Sequence, residues 1–121
     1  MDRRSLGDFG ERVACARLEA EGYHVLATKF RVREGEVDIV AERGGVVAFV
    51  EVKTRRSDEA WAVESLHRRQ AQRLLIAAEA YGQQHPELPP DRRIDLIAID
   101  LDGSGRVVSV QHIENAVEAE A

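Results

Sequence analysis

The sequence predicts an α/β fold, a central mixed five-stranded sheet flanked by helices. Three observations predict it. Two runs rich in β-branched residues, 37–41 and 46–52, flank Gly44-Gly45, which is a hairpin signal. The second run is apolar on both faces, with Val46, Ala48, Val50 and Val52 on one and Val47 and Phe49 on the other, so it reads as a strand covered on both sides and central in its sheet. A helical pattern over 61–83 then leads to RIDLIAIDL at 93–101, nearly continuous in Ile and Leu, and a strand–helix–strand crossover favours parallel pairing.

The remaining elements follow in order. Residues 5–22 read as a helix with Leu6, Phe9, Val13, Ala16 and Ala20 as its apolar stripe, Ser5 or Asp8 as its cap and Gly22 at its end. Glu11 lies off that stripe, on a flank shared with Cys15 and Leu18, and reads by itself as a solvent-facing glutamate. Residues 23–33 alternate as a strand with a break near Thr28. Arg31 and Arg33 share one of its faces, as phosphate contacts or as an ordinary charged face. Residues 54–60 are polar and read as a loop. The 61–83 helix buries Leu66, Leu74, Ala77, Ala78 and Tyr81, and Gln70 falls on that stripe, where its amide needs a hydrogen-bond partner. A proline-rich linker, 85–91, ends the helix. The last strand is 107–113, after the Asp102-Gly103-Ser104-Gly105 turn, so residues 1–113 form a single domain and 114–121 an acidic tail.

At 121 residues the chain holds one domain with a core of its own. No run approaches the ~18 apolar residues of a membrane span, and the N-terminal stretch lacks the apolar core of a signal peptide. The expectation is a cytoplasmic protein with no membrane contact. One cysteine, Cys15, excludes an intramolecular disulfide and a zinc cluster of Cys/His spacing. The net charge of −5 argues against a simple electrostatic nucleic-acid binder. Basic residues nonetheless gather around the hairpin, at Lys29, Arg31, Arg33, Lys53, Arg55, Arg56, Arg68, Arg69 and Arg73.

The hairpin carries the strongest chemical signal. With Gly44 and Gly45 as the loop, Arg43 faces Val46, and counting back sets Asp38 opposite Glu51. Lys53 projects from the same strand face as Glu51. Two opposed carboxylates destabilise a hairpin, so they require compensating positive charge. Lys53 supplies part of it. A divalent cation such as Mg²⁺, held by one or two carboxylates with waters and phosphate oxygens, would supply the rest. A salt bridge on a solvated face is the alternative on spacing alone.

GERVACARLEAEGY near the start, GEVDIVAERGGVVAFVEVKTR in the middle, and RIDLIAID with HIENAV near the end resemble the YraN-like family of small bacterial proteins. The resemblance implies a restriction-endonuclease-like core of the PD-(D/E)xK nuclease type, close to Holliday-junction resolvases. It implies Asp38 and Glu51 as Mg²⁺ (or Mn²⁺) ligands with the main-chain carbonyl of Val52, Lys53 as the stabiliser of hydroxide or phosphorane charge, and Glu11 as a further metal ligand. Gln70 stands where the family commonly has lysine, and Lys29 where it usually has asparagine. Arg93 and Asp95 match an Arg-x-Asp of the family and read as a structural pair.

The expectation is a metal-dependent endonuclease-like protein that hydrolyses DNA phosphodiester bonds. Asp38, Glu51, Lys53, Glu11 and Gln70 form its site, and Arg31, Arg33, Arg55 and Arg68 meet flanking phosphates. No recognition helix or aromatic platform is visible, so structured or branched DNA is the expected substrate. The competing expectation is a module that keeps the fold without turnover and binds nucleic acid or a DNA-processing protein partner. Resolvases of this fold are dimers, which makes a homodimer, formed over the apolar last strand, a further expectation.

Overall fold

The computed structural model describes residues 2–56 and 68–116. The elements run α1 (Arg3–Ala20), β1 (His24–Val32), β2 (Gly35–Arg43), β3 (Val46–Arg56), α2 (Arg68–Gln84), β4 (Asp91–Leu101) and β5 (Val107–Ile113). The strands form one sheet in the order β1-β2-β3-β4-β5. The β3–β4 pair is parallel and the other pairs are antiparallel. This is the α/β architecture of a restriction-endonuclease-like core, with β3 at its centre.

The β2–β3 turn is the reason for the register. Gly44 and Gly45 both have positive φ, +58° and +83°, as a two-residue turn that matches strand twist requires. Arg43 therefore pairs with Val46, and the ladder runs back to Ile39 opposite Val50. The ladder stops there, one position short of Asp38 and Glu51, whose side chains lie within hydrogen-bonding reach of each other.

Among the described residues, each face of the sheet carries one helix. Ala14 and Leu18 of α1 pack with Ile39, Ala41, Ala48, Val50, Ile97, Ile99 and Leu101. Leu74, Ala77, Ala78 and Tyr81 of α2 pack with Val37, Val40, Val47 and Phe49 on the other face. β3 thus buries both of its faces with the predicted division of residues. Removing these side chains from water at roughly 25 cal/mol per Å² is the main term holding the layers together. Gly35 lets α2 come close, since a Cβ there would lie 2.4 Å from the Arg73 carbonyl oxygen and 2.8 Å from the Ala77 nitrogen.

The structure corrects several local expectations. The cap of α1 is Asp2, whose carboxylate accepts from the Ser5 N–H at 2.8 Å, and neither Ser5 nor Asp8 serves. The buried face of α1 is Gly10, Ala14 and Leu18, while Ala16 and Ala20 are exposed. The stripe is thereby rotated toward Glu11, because the helix packs through its small residues. Arg33 does not share a strand face with Arg31. Val32 pairs with Gly35, which leaves Arg33 and Glu34 as a two-residue turn. β3 continues beyond Lys53 through Arg56, pairing with β4 up to Leu101, so residues 54–56 are strand rather than loop. The early part of the predicted 61–83 helix, Leu66 included, lies outside the described residues. Asn115 and Ala116, placed in the tail, bond back to β4: Asn115 N–H to Asp95 and Ala116 N–H to the Ile94 carbonyl.

Candidate active site

At Asp38 the sheet loses its regular alternation. Val37 packs on the α2 face and Ile39, two residues on, packs on the α1 face. Across the β1–β2 ladder Lys29, between Thr28 opposite Ile39 and Phe30 opposite Val37, has φ +53°. The β2–β3 ladder also ends here. In its place the Val52 N–H donates to Oδ2 of Asp38 at 2.8 Å. A carboxylate has thus replaced a main-chain acceptor, which fixes the Asp38 side chain beside β3.

Asp38 and Glu51 are within hydrogen-bonding reach of one another. Burial pushes both carboxyls above their usual range. The Glu36 and Glu11 charges push Asp38 further, against the Val52 N–H, which lowers it. Glu51 is pushed up to about 8, first by burial and then by the Asp38 charge, while Lys53 pulls it down. Near neutral pH the pair therefore retains a proton, the behaviour of two like charges sharing one site.

Two cavities meet at this point. One, of about 180 Å³, is lined by Glu36, Asp38, Glu51, Gln70 and Arg73. The other, of about 220 Å³, is lined by Arg3, Arg4, Gly7, Asp8, Glu11, Lys29, Arg31, Glu36, Asp38 and Val52. Glu36 and Asp38 are common to both. α2 brings Gln70 to the first cavity and α1 brings Glu11 to the second, so Gln70 shares its cavity with both carboxyls and Glu11 shares its cavity with Asp38 alone. Glu11 is only 16% exposed and is ion-paired with Lys29 at 2.9 Å. Among the described residues no three His, Cys, Asp or Glu side chains converge as a metal-binding group. The oxygen-rich pair of Asp38 and Glu51 is of the donor type that a hard divalent ion takes.

The predicted basic residues are dispersed. Arg31 lies in the second cavity, 3.5 Å from Glu36. Arg33 stands at the β1–β2 turn, Arg55 near the end of β3, and Arg68 at the first described position of α2. Sequence reasoning missed Glu36, and it named Arg73 among the surrounding basic residues without placing it in the site; their side chains approach to 3.9 Å. Both had a signal: Glu36 is two residues before Asp38, and Arg73 follows Gln70 by three positions on one helix. Lys29 was named among the basic residues and as a departure from the family, not as a partner of Glu11, although the predicted break near Thr28 adjoins it.

Away from this site, Arg93 and Asp95 form the expected pair, at 2.8 Å. The pair belongs to a larger buried network that the sequence did not reveal. Asp95 and Glu21 each lie 2.7 Å from one ring nitrogen of His112, and Arg93 also donates to the Tyr23 hydroxyl.

Residues 10–99 match the model of the uncharacterised protein family UPF0102. The chain belongs to this family. A UPF0102 protein of Roseiflexus castenholzii is 44% identical over 119 residues, covering 96% of this chain and 95% of its own length. One from Chloroflexus aurantiacus is 41% identical over 117 residues, covering 95% and 94%. One from Azorhizobium caulinodans is 44% identical over 115 residues, covering 94% and 83%. UPF0102 is the YraN-like family that the sequence motifs resemble. The matched region holds Glu11, Asp38, Glu51, Lys53 and Gln70. Among the described residues no helix is long and apolar enough to cross a membrane.

Proposed function

We propose that this UPF0102 protein is a metal-dependent nuclease that hydrolyses phosphodiester bonds in structured DNA. The observation that carries the reading is the Asp38–Glu51 pair: two half-buried carboxyls within hydrogen-bonding reach of each other, with Glu51 pushed up to about 8. Such an arrangement costs stability unless a cation relieves it. Asp38 and Glu51 would hold Mg²⁺, or Mn²⁺ in its place, with the Val52 main-chain carbonyl as a further oxygen donor. A bound ion would polarise the scissile phosphate and lower the pKa of a water.

The protein's own groups do the rest. Lys53 brings a compact positive charge to the strand face that carries Glu51, suited to the charge that develops on a phosphoryl oxygen. The Val52 N–H holds Asp38 in one orientation. Gln70 offers an amide donor and acceptor in the cavity of the two carboxyls. Arg31 in one cavity and Arg73 in the other provide phosphate contacts on either side of Asp38, with Arg33, Arg55 and Arg68 reaching more distant phosphates. Contacts of this kind position a strand without reading its bases, which favours recognition of DNA shape.

The test is incubation with branched, nicked, single-stranded and intact duplex DNA in Mg²⁺ or Mn²⁺, beside Asp38→Asn and Lys53→Ala. Cleavage of branched DNA by the wild type, lost in both variants, is expected. Binding without cleavage in either metal makes the protein a binding module instead.

A further inference from the structure

Lys29 adopts a left-handed backbone conformation, φ +53°, that L side chains other than Asn and Asp seldom take. The conformation is coupled to a specific contact. Its ammonium lies 2.9 Å from Oε2 of Glu11 and 3.1 Å from Oδ1 of Asp8, two carboxylates three positions apart on α1. All three side chains line the cavity that also contains Asp38 and Val52. Glu11 is well covered, at 16% exposure, whereas Asp8 at 44% is open to water. Lys29 therefore engages the more covered of the two α1 carboxylates that share a cavity with Asp38, and it does so at the point where the sheet alternation breaks.

We propose that Lys29 is a positioning residue that withholds Glu11 from the metal site, so that a divalent cation is held by Asp38 and Glu51 while the Lys29–Glu11 pair is intact. The inference rests on the nuclease reading above. The same cavity is lined by Arg3, Arg4 and Arg31, and a phosphodiester entering among these cations offers Lys29 a competing anion. Substrate entry then releases Glu11 toward Asp38, and the ion gains a third carboxylate as DNA binds. Metal affinity and substrate binding are thereby coupled, and the coupling acts in both directions.

The experiment is Mn²⁺ titration calorimetry without DNA on the wild type, Lys29→Asn, Glu11→Gln, the double variant, and Asp38→Asn. Asparagine tolerates the left-handed conformation, and Lys29→Gln serves as a second charge-removing variant should Lys29→Asn fail to fold. Lys29→Asn is expected to tighten Mn²⁺ binding by roughly 10- to 100-fold, the range over which groups that hold a ligand alter metal affinity. The double variant is expected to lose that gain. Unchanged affinity in Lys29→Asn overturns the proposal. So does a gain that survives Glu11→Gln, because it reports only the loss of a nearby positive charge. Failure of the nuclease reading has a different signature: wild-type binding that Asp38→Asn leaves intact. No Mn²⁺ binding by any of the proteins overturns both.

Discussion

The Val52 N–H donates to the Asp38 carboxylate at 2.8 Å, at the position where the β2–β3 ladder stops. One side chain thus serves the sheet as a hydrogen-bond acceptor and the cavity as an acid. The two roles separate by substitution. Asp38→Ala leaves a half-buried N–H unsatisfied and should cost about 1–3 kcal/mol in denaturant unfolding. Asp38→Asn keeps an oxygen acceptor, so it should retain most of that stability while losing metal binding and cleavage. Equal stability of the Ala and Asn variants would contradict the assignment.

The carboxyl pair makes metal-free stability fall with pH. Glu51 and Asp38 both have folded pKa values raised above the unfolded ones, so the folded state binds the extra proton. Stability is fully present below the ordinary carboxylate range and declines as pH rises toward about 8. Glu51→Gln removes this penalty and is expected to raise the thermal midpoint of the metal-free protein by several degrees at pH 8, with little gain at pH 4. Mn²⁺ is expected to raise the wild-type midpoint at pH 8 and not that of Glu51→Gln.

The His112 network shares this dependence on its basic side and has the opposite dependence on its acid side. The Asp95 and Glu21 carboxylates hold His112 above its usual range against desolvation. Its contribution is present below the unfolded histidine value and is lost as pH rises through the higher folded value. Asp95 and Glu21 are held low by hydrogen bonds from His112 and from Arg93 or Arg17, and their contribution is lost in acid. His112→Ala leaves two carboxylates short of a donor and should cost roughly 3–5 kcal/mol near pH 6. A cost that stays the same from pH 5 to 9 would contradict the imidazolium assignment.

Gly35 links packing to the site. Gly35→Ala forces a methyl against the α2 backbone at Arg73 and Ala77, and the expected cost is about 1–3 kcal/mol. Because α2 carries Gln70 and Arg73 to the carboxyls, cleavage should fall more than the folded fraction does. Unfolding and activity measured on one preparation separate the two effects.

Where local pattern and turn chemistry decide the outcome, the sequence was legible. Gly44-Gly45 set the hairpin register as far as Ile39 opposite Val50, and Asp38 and Glu51 come together just beyond it. The two-faced apolar run 46–52 placed β3 at the centre of the sheet. Where tertiary packing decides, the reading shifted. α1 docks through Gly10 and Ala14, which have little weight in a hydrophobic stripe, so the buried face was set one flank away from Glu11. The left-handed conformation of Lys29 and its contact with α1 depend on a break in strand alternation, which periodicity located only roughly. His112 gained its partners from α1 and β4, elements distant in sequence.

The central claim is that this site turns over phosphodiesters, with Lys53 acting on charge developed in the reaction. The most direct test is single-turnover cleavage of branched DNA by Mn²⁺-loaded wild type and Lys53→Met, with metal stoichiometry measured on the same samples. The account predicts full metal loading of both proteins, cleavage by the wild type, and a rate at least about a hundredfold lower in Lys53→Met. Equal rates, or no cleavage by a fully loaded wild type on any branched substrate, would contradict it.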